Sequence, residues 1–180
     1  MNLSKKLLEW AGWKIDITAP DYDKCIICVA PHTSNWDFIL GKLAYSAVGR
    51  KAGFLMKESW FFFPLGCIFK AIGGIPVIRR EHKGSLTEAL TEQFIRSRKM
   101  SVAITPEGTR SRNSEWHQGF LRIAYNAHIP IVLGVIDGGT KTIIIRETFT
   151  PTGNFDADMR AIKDYYSQFT ALYPEKFSTD

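Results

Sequence analysis

The sequence predicts an α/β fold with a largely parallel sheet flanked by helices. Short apolar runs rich in Ile and Val alternate with longer segments of helical spacing, the pattern of βαβ layering. The chain has 180 residues, 45% of them hydrophobic and 23% charged, which suits one domain with a sizeable core. No internal repeat, low-complexity block or Ser/Pro linker divides it, so residues 1–180 read as a single domain.

The elements follow in order. The opening MNLSKKLLEWAGWKI (1–15) predicts a short amphipathic helix, with Leu3, Leu7, Trp10 and Ala11 on one face and Lys5, Lys6 and Lys14 adding positive charge. Trp beside Lys is the pattern of a helix lying on a membrane surface. The same spacing serves a helix docked on the domain's own core, and both readings stand. This segment lacks the apolar stretch and cleavage site of a secretory signal, so the chain is expected in the cytoplasm. CIICVA (25–30) is the first strand. NWDFILGKLAYSAVG (35–49) is a helix with Phe38, Ile39, Leu43 and Val48 roughly on its apolar face, and GFLMK (53–57) is the next strand.

SWFFFPLGCIFKAIGGIPVI (59–78) carries a single charge, Lys70, over a length that could span a bilayer. Pro64, Gly66, Gly73, Gly74 and Pro76 interrupt it, so it reads as an apolar-surfaced helix leading into a buried strand at 75–78. Its WFFF would be an aggregation hazard in water, but not in a lipid interface or lining an acyl-chain groove. A helix at 86–99, a strand at 101–105 and a short amphipathic helix at 120–128 come next. Strands at 129–136 and 141–149 flank DGGTK (137–141), a hairpin signal that predicts an antiparallel pair. A C-terminal helix is expected at 156–173.

Composition narrows the function classes. The net charge of +5 and pI of about 9.1 favour anionic lipid, phosphate or nucleic acid without choosing among them. Basic residues are interspersed with acids, and the aromatics cluster in apolar runs, which argues against a nucleic-acid groove. Three cysteines do not make a disulfide scaffold. Cys25 and Cys28, three apart on a strand, point to opposite faces and read as core residues. His82, His117 and His128 lack paired ligand spacing, and no Walker loop or G-x-S-x-G elbow occurs, so no metal is expected.

Two strand exits carry chemistry. His32 follows CIICVA after Pro31, Ser34 or Asn35 caps the next helix, and Asp37 falls in its first turn. Ligands of open α/β sheets bind at the carboxyl ends of strands. An imidazole oriented by a carboxylate there can act as a general base; a capping Asp beside an ordinary loop His is the plainer reading of the same spacing. Glu107, Gly108, Thr109 and Arg110 make a tight polar turn after the strand at 101–105, with a close-approach glycine, a hydroxyl and a guanidinium fork suited to phosphate; taken alone, the same residues read equally as a generic surface turn. Arg79 and Arg80 close the run GGIPVIRR (73–80), as an anion contact or a solvated pair.

Taken together, HTSNWD (32–37), GGIPVIR (73–79), EGTR (107–110) and IPIVLGV (129–135) resemble, in order, the four blocks of the glycerolipid acyltransferases of the 1-acylglycerol-3-phosphate (lysophosphatidate) acyltransferase superfamily. The match covers roughly residues 25–136. Ile78 stands where an Asp is common, and Leu133 where a second Pro often occurs, which bears on the acceptor and leaves the His32–Asp37 pair intact. The resemblance implies a glycerol-3-phosphate acyltransferase-like αβ domain, peripheral on the inner face of the cell membrane. It implies acyl transfer from acyl-CoA or acyl-carrier protein, as co-substrate and without a cofactor, to the hydroxyl of a lyso-phospholipid in phospholipid biosynthesis. The acceptor implied is 1-acylglycerol-3-phosphate, or another lyso-lipid such as an aminolipid. A non-catalytic lipid-binding protein of the same fold is the alternative. His32 would be the base and Asp37 its orienter; Arg79, Glu107, Gly108, Thr109 and Arg110 would bind the acceptor, and no nucleic acid would be a partner.

Overall fold

A computed structural model describes residues 2–77 and 86–180. Seven strands form one sheet: β1 (Lys14–Ile17), β2 (Lys24–Val29), β3 (Gly53–Lys57), β4 (Gly74–Val77), β5 (Met100–Ile104), β6 (Ile131–Asp137) and β7 (Thr142–Phe149). Their order is β1-β7-β6-β2-β5-β3-β4, and every pairing is parallel except the β6–β7 hairpin. The helices are α1 (Leu3–Trp10), α2 (Asn35–Ala47), α3 (Leu65–Ala71), α4 (Leu86–Arg96), α5 (Gly119–Ala127) and α6 (Phe155–Tyr166).

Side-chain alternation along the central strands splits the core into two faces. Ile26 and Cys28 of β2, with Ile131, Leu133 and Val135 of β6, meet α4, α5 and α6 through Leu90, Phe94, Phe120, Leu121, Ile123 and Ile162. On the other face Cys25, Ile27 and Val132 meet Tyr45 of α2, while Ile136 and Ile143 meet Leu8, Leu40 and Ala44 of α1 and α2. Cys25 and Cys28 thus sit in separate clusters on opposite faces, as core residues. β6 is buried along its whole length, which matches its unbroken apolar run.

Several expectations need correction. The amphipathic segment at 1–15 is not all helix: α1 stops at Trp10, and Lys14–Ile17 forms β1 on β7. Leu8, only 1% exposed, docks α1 onto the core, while the anticipated face of Leu3, Leu7 and Trp10 remains exposed. Helix α2 buries Asp37, Leu40, Ala44 and Tyr45; of the expected face, Leu43 packs beside this core, Phe38 and Ile39 line an open cleft, and Val48 lies exposed past the helix end. The i, i+3, i+7 stripe starting at a polar residue won over the purely apolar one. Of the strand expected at 75–78, residues 75–77 lie in the sheet edge β4, half-buried at Gly74 and Ile75 and exposed at Pro76, while Ile78 lies outside the described residues. An edge is where a strand tolerates a residue that cannot donate a backbone bond. The WFFF region is a 3-10 turn (Glu58–Trp60) followed by α3, and Gly73 at φ 94° ends that helix in a conformation L side chains rarely adopt. The C-terminal helix ends at Tyr166 rather than 173.

Candidate active site

Strand β2 delivers His32 to the carboxyl edge of the sheet, three residues past Val29. The residues after it are those a helix start requires. Ser34 is the N-cap of α2 and accepts from the Trp36 N–H at 3.1 Å. Asp37 reaches back, its Oδ2 accepting from the N–H groups of Thr33 at 2.6 Å and Ser34 at 2.7 Å. Such a reciprocal capping box satisfies donors that a helix terminus would otherwise leave open. The same Oδ2 stands 3.7 Å from His32 Nδ1, too long for a hydrogen bond and close enough for an ion pair once the ring is protonated. Asp37 therefore caps the helix and faces the imidazole at once.

Strand β5, hydrogen-bonded beside β2, delivers the second turn. Gly108 takes φ 66°, a conformation that favours glycine, and it sits against the His117 imidazole, which a Cβ there would displace. The turn is braced: Gly108 N–H donates to the Thr105 carbonyl at 3.2 Å, His117 N–H to that of Pro106 at 2.8 Å, and Asn113 Nδ2 to that of Glu107 at 2.9 Å. Glu107 is 1% exposed, and its Oε1 accepts from the His32 N–H at 2.7 Å. Its Oε2 and the Thr33 hydroxyl are buried without a hydrogen-bond partner among the described residues.

A cleft of ≈ 1020 Å³ opens along this edge. Its polar end holds His32, Asp37, Thr109, Arg110 and His117, and its apolar walls include Phe38, Ile39, Phe54, Leu55 and Leu90. The volume is at the upper end for a small-molecule site, and the lining suits an alkyl chain. Burial pushes the His32 imidazole down to about 4, and the Arg110 guanidinium pushes the same way. The ring is neutral at neutral pH, so one nitrogen can accept a proton. Burial raises Asp37, opposed by the backbone donors of Ser34 and Thr33 and by Arg110. Burial pushes Glu107 up to about 7, the His32 N–H opposing it and the Asp37 charge adding to it.

Of the residues singled out from the sequence, His32, Asp37, Gly108, Thr109 and Arg110 meet at the cleft. Glu107 sits behind His32 instead, and Arg79 lies outside the described residues. Two cleft residues carry no motif signal: His117, brought in by its packing on Gly108, and Lys42. Lys42 Nζ donates to the carbonyls of Ala52 at 3.0 Å and Ile72 at 2.8 Å, tying α2 to the entry of β3 and the end of α3. Among the described residues no group of three or more His, Cys, Asp or Glu is placed to hold a metal ion.

An imidazole–carboxylate pair at the carboxyl edge of a mostly parallel sheet, opening on an apolar cleft with a guanidinium at its rim, defines the class: a three-layer α/β protein with a buried histidine facing a cleft at its strand ends. The chain belongs to the acyltransferase family, whose model matches residues 15–136. A probable 1-acyl-sn-glycerol-3-phosphate acyltransferase of Mycoplasma pneumoniae is 30% identical over 135 residues, covering 67% of this chain and 48% of that protein. The chain thus spans about half the length of the curated relative it matches. The 1-acyl-sn-glycerophosphate acyltransferase PlsC of Thermotoga maritima superposes with a TM-score of 0.60 at 18% identity, over 92% of this chain and 76% of that one. At that identity the likeness concerns the fold.

Proposed function

We propose that this chain transfers a fatty acyl group from a thioester donor, acyl-CoA or acyl-carrier protein, to the hydroxyl of a lyso-phospholipid, with 1-acylglycerol-3-phosphate as the acceptor. The observation that carries this reading is the neutral His32 imidazole at the head of an apolar cleft, with Asp37 on one side of the ring and Arg110 within electrostatic reach. The family and the curated relative's name support the reaction type.

His32 takes the proton of the acceptor hydroxyl through the ring nitrogen turned away from Asp37. The freed oxygen attacks the thioester carbonyl, and the tetrahedral adduct collapses with loss of the thiolate. The imidazolium, stabilised by the Asp37 carboxylate, returns the proton to sulfur. An ester and a free thiol result, with no acyl-enzyme. Arg110, Thr109 and the Gly108 backbone hold the acceptor's phosphate, joined by Arg79. Arg110 also sets a coupling: its charge depresses His32, so an acceptor phosphate that neutralises it makes His32 a stronger base. The exposed side chains of Trp10, Trp60, Phe62 and Phe63 serve contact with the membrane surface on the cytoplasmic side. Among the described residues no helix is long and apolar enough to cross a membrane.

The test is acyl transfer by purified protein to a panel of lyso-lipids, with acyl-CoA and acyl-carrier-protein donors. His32→Ala is expected to lower kcat by about 10²–10⁴-fold, the range for a lost general base. Full activity in that variant would sink the mechanism. Transfer to an aminolipid in preference to 1-acylglycerol-3-phosphate would reassign the acceptor.

A further inference from the structure

We propose that Glu107 is a positioning residue that holds the backbone of the catalytic histidine and does not touch substrate; this rests on the acyl-transfer reading. Four observations carry it. The cleft wall takes Thr105, Gly108, Thr109 and Arg110 from the turn after β5 but not Glu107. Glu107 is 1% exposed, so a substrate in the cleft does not meet its carboxyl. Its Oε1 accepts the His32 N–H at 2.7 Å across 75 residues of sequence. Finally, the β2–β5 ladder ends at the pair Cys28 and Ile104, before either turn begins.

Beyond that last pair no ladder bond holds the two turns together. Glu107 extends the cross-strand bonding one step further, by side chain, to the residue whose ring performs the chemistry. The turn that supplies it is itself pinned by Asn113 on the Glu107 carbonyl and by His117 on that of Pro106. His32 is thereby referenced to a second, braced strand end as well as to its own. Catalysis is sensitive to such placement, since a shift of about 1 Å costs on the order of 10²-fold in rate.

The bond needs only an acceptor oxygen. A charge on Glu107 is disfavoured by its burial and by nearby Asp37, and its second oxygen is buried without a partner among the described residues. An amide of the same shape should therefore do the work. This separates positioning from substrate binding: Gln preserves the backbone clamp, Ala removes it, and Asp keeps the carboxyl group but is one methylene too short.

The experiment pairs steady-state kinetics of the wild type, Glu107→Gln, Glu107→Ala and Glu107→Asp with ¹⁵N–¹H spectra of the His32 amide. The kinetics use 1-acylglycerol-3-phosphate and acyl-CoA. Glu107→Ala is expected to lower kcat by roughly 10²-fold with both KM values within about twofold, the signature of an interaction made in the transition state. Its His32 amide proton should move upfield and exchange faster. Glu107→Gln should stay within about fivefold of wild-type kcat and keep the amide signature, because the acceptor remains. If Glu107→Ala does not fold, Glu107→Asp replaces it with the same expectation. A rise of about tenfold or more in acceptor KM for Glu107→Gln, at unchanged kcat, would overturn the proposal in favour of a substrate contact. So would an unchanged His32 amide in the Ala and Asp variants. The amide readout needs no turnover, so the clamp is decided even if no donor and acceptor react.

Discussion

In the proposed mechanism His32 is neutral when substrate arrives and protonated once the hydroxyl has given up its hydrogen. Burial and Arg110 secure the first state, and Asp37 at 3.7 Å favours the second. Arg110→Gln should therefore raise the His32 pKa, read from ring ¹³C shifts against pH, while acceptor KM rises; an unmoved His32 titration would mean that Arg110 does not act on it. Stability carries a related signature. Folding lowers His32 from 6.5 to about 4, so its contribution is complete above 6.5 and is lost as pH falls through 4. Folding raises Glu107 from 4.5 to about 7, so its contribution is complete below 4.5 and is lost as pH rises through 7. The two slopes oppose each other. Glu107→Gln removes the second, so its stability relative to wild type should improve steadily from pH 4.5 to 7. Urea midpoints at pH 5 and pH 7.5 check the sign.

At the scale of an element, α2 joins fold to chemistry. Its first turn holds Asp37, and its buried stripe continues through Leu40 and Ala44 to Leu8 of α1 and to Ile136 and Ile143 of the sheet. Ser34→Ala removes the hydroxyl cap on the Trp36 N–H and should cost about 1 kcal/mol of stability, read from chemical denaturation. Leu40→Ala opens a cavity between helix and sheet and should cost about 2–5 kcal/mol in chemical denaturation. Most elements were legible in the sequence, since strands such as CIICVA and IPIVLGVI are apolar on both faces and end at Pro or Gly. The His32–Asp37 and Gly108–Arg110 groups were legible only together, as blocks arriving in order at successive strand ends; the capping and turn residues taken singly read as a helix cap and a surface turn. The face of α2 was not, because Asp37 belongs to its buried stripe and hydrophobicity alone excludes it. Strand β1 was hidden as well: KIDI is four residues long and follows an amphipathic helix without a breaker other than Gly12. The position of Glu107 behind His32 was not legible either, as it depends on β5 lying next to β2.

For the whole molecule, the surface is unusual for its exposed apolar side chains: Trp10 at 88%, Leu3 at 70% and Phe63 at 86%. They project from α1 and from the segment before α3, with Lys5, Lys6 and Lys70 nearby in sequence. In sedimentation with anionic vesicles, Phe62→Ser/Phe63→Ser should weaken binding by about tenfold or more, since each Phe withdrawn from lipid forfeits roughly 1.5–3 kcal/mol. Added salt should reduce wild-type binding without abolishing it; complete loss at high salt would mean that the aromatics do not insert. The strand order has a further effect, on synthesis. Both sheet neighbours of β2, namely β5 and β6, are encoded far downstream, and the bond that seats His32 waits for a residue 75 positions later. At about 5–20 residues per second the ribosome takes roughly 4–15 s to cover that distance. During this interval an apolar strand is made with no ladder to join, so the burial of CIICV waits on the synthesis of the rest of the sheet.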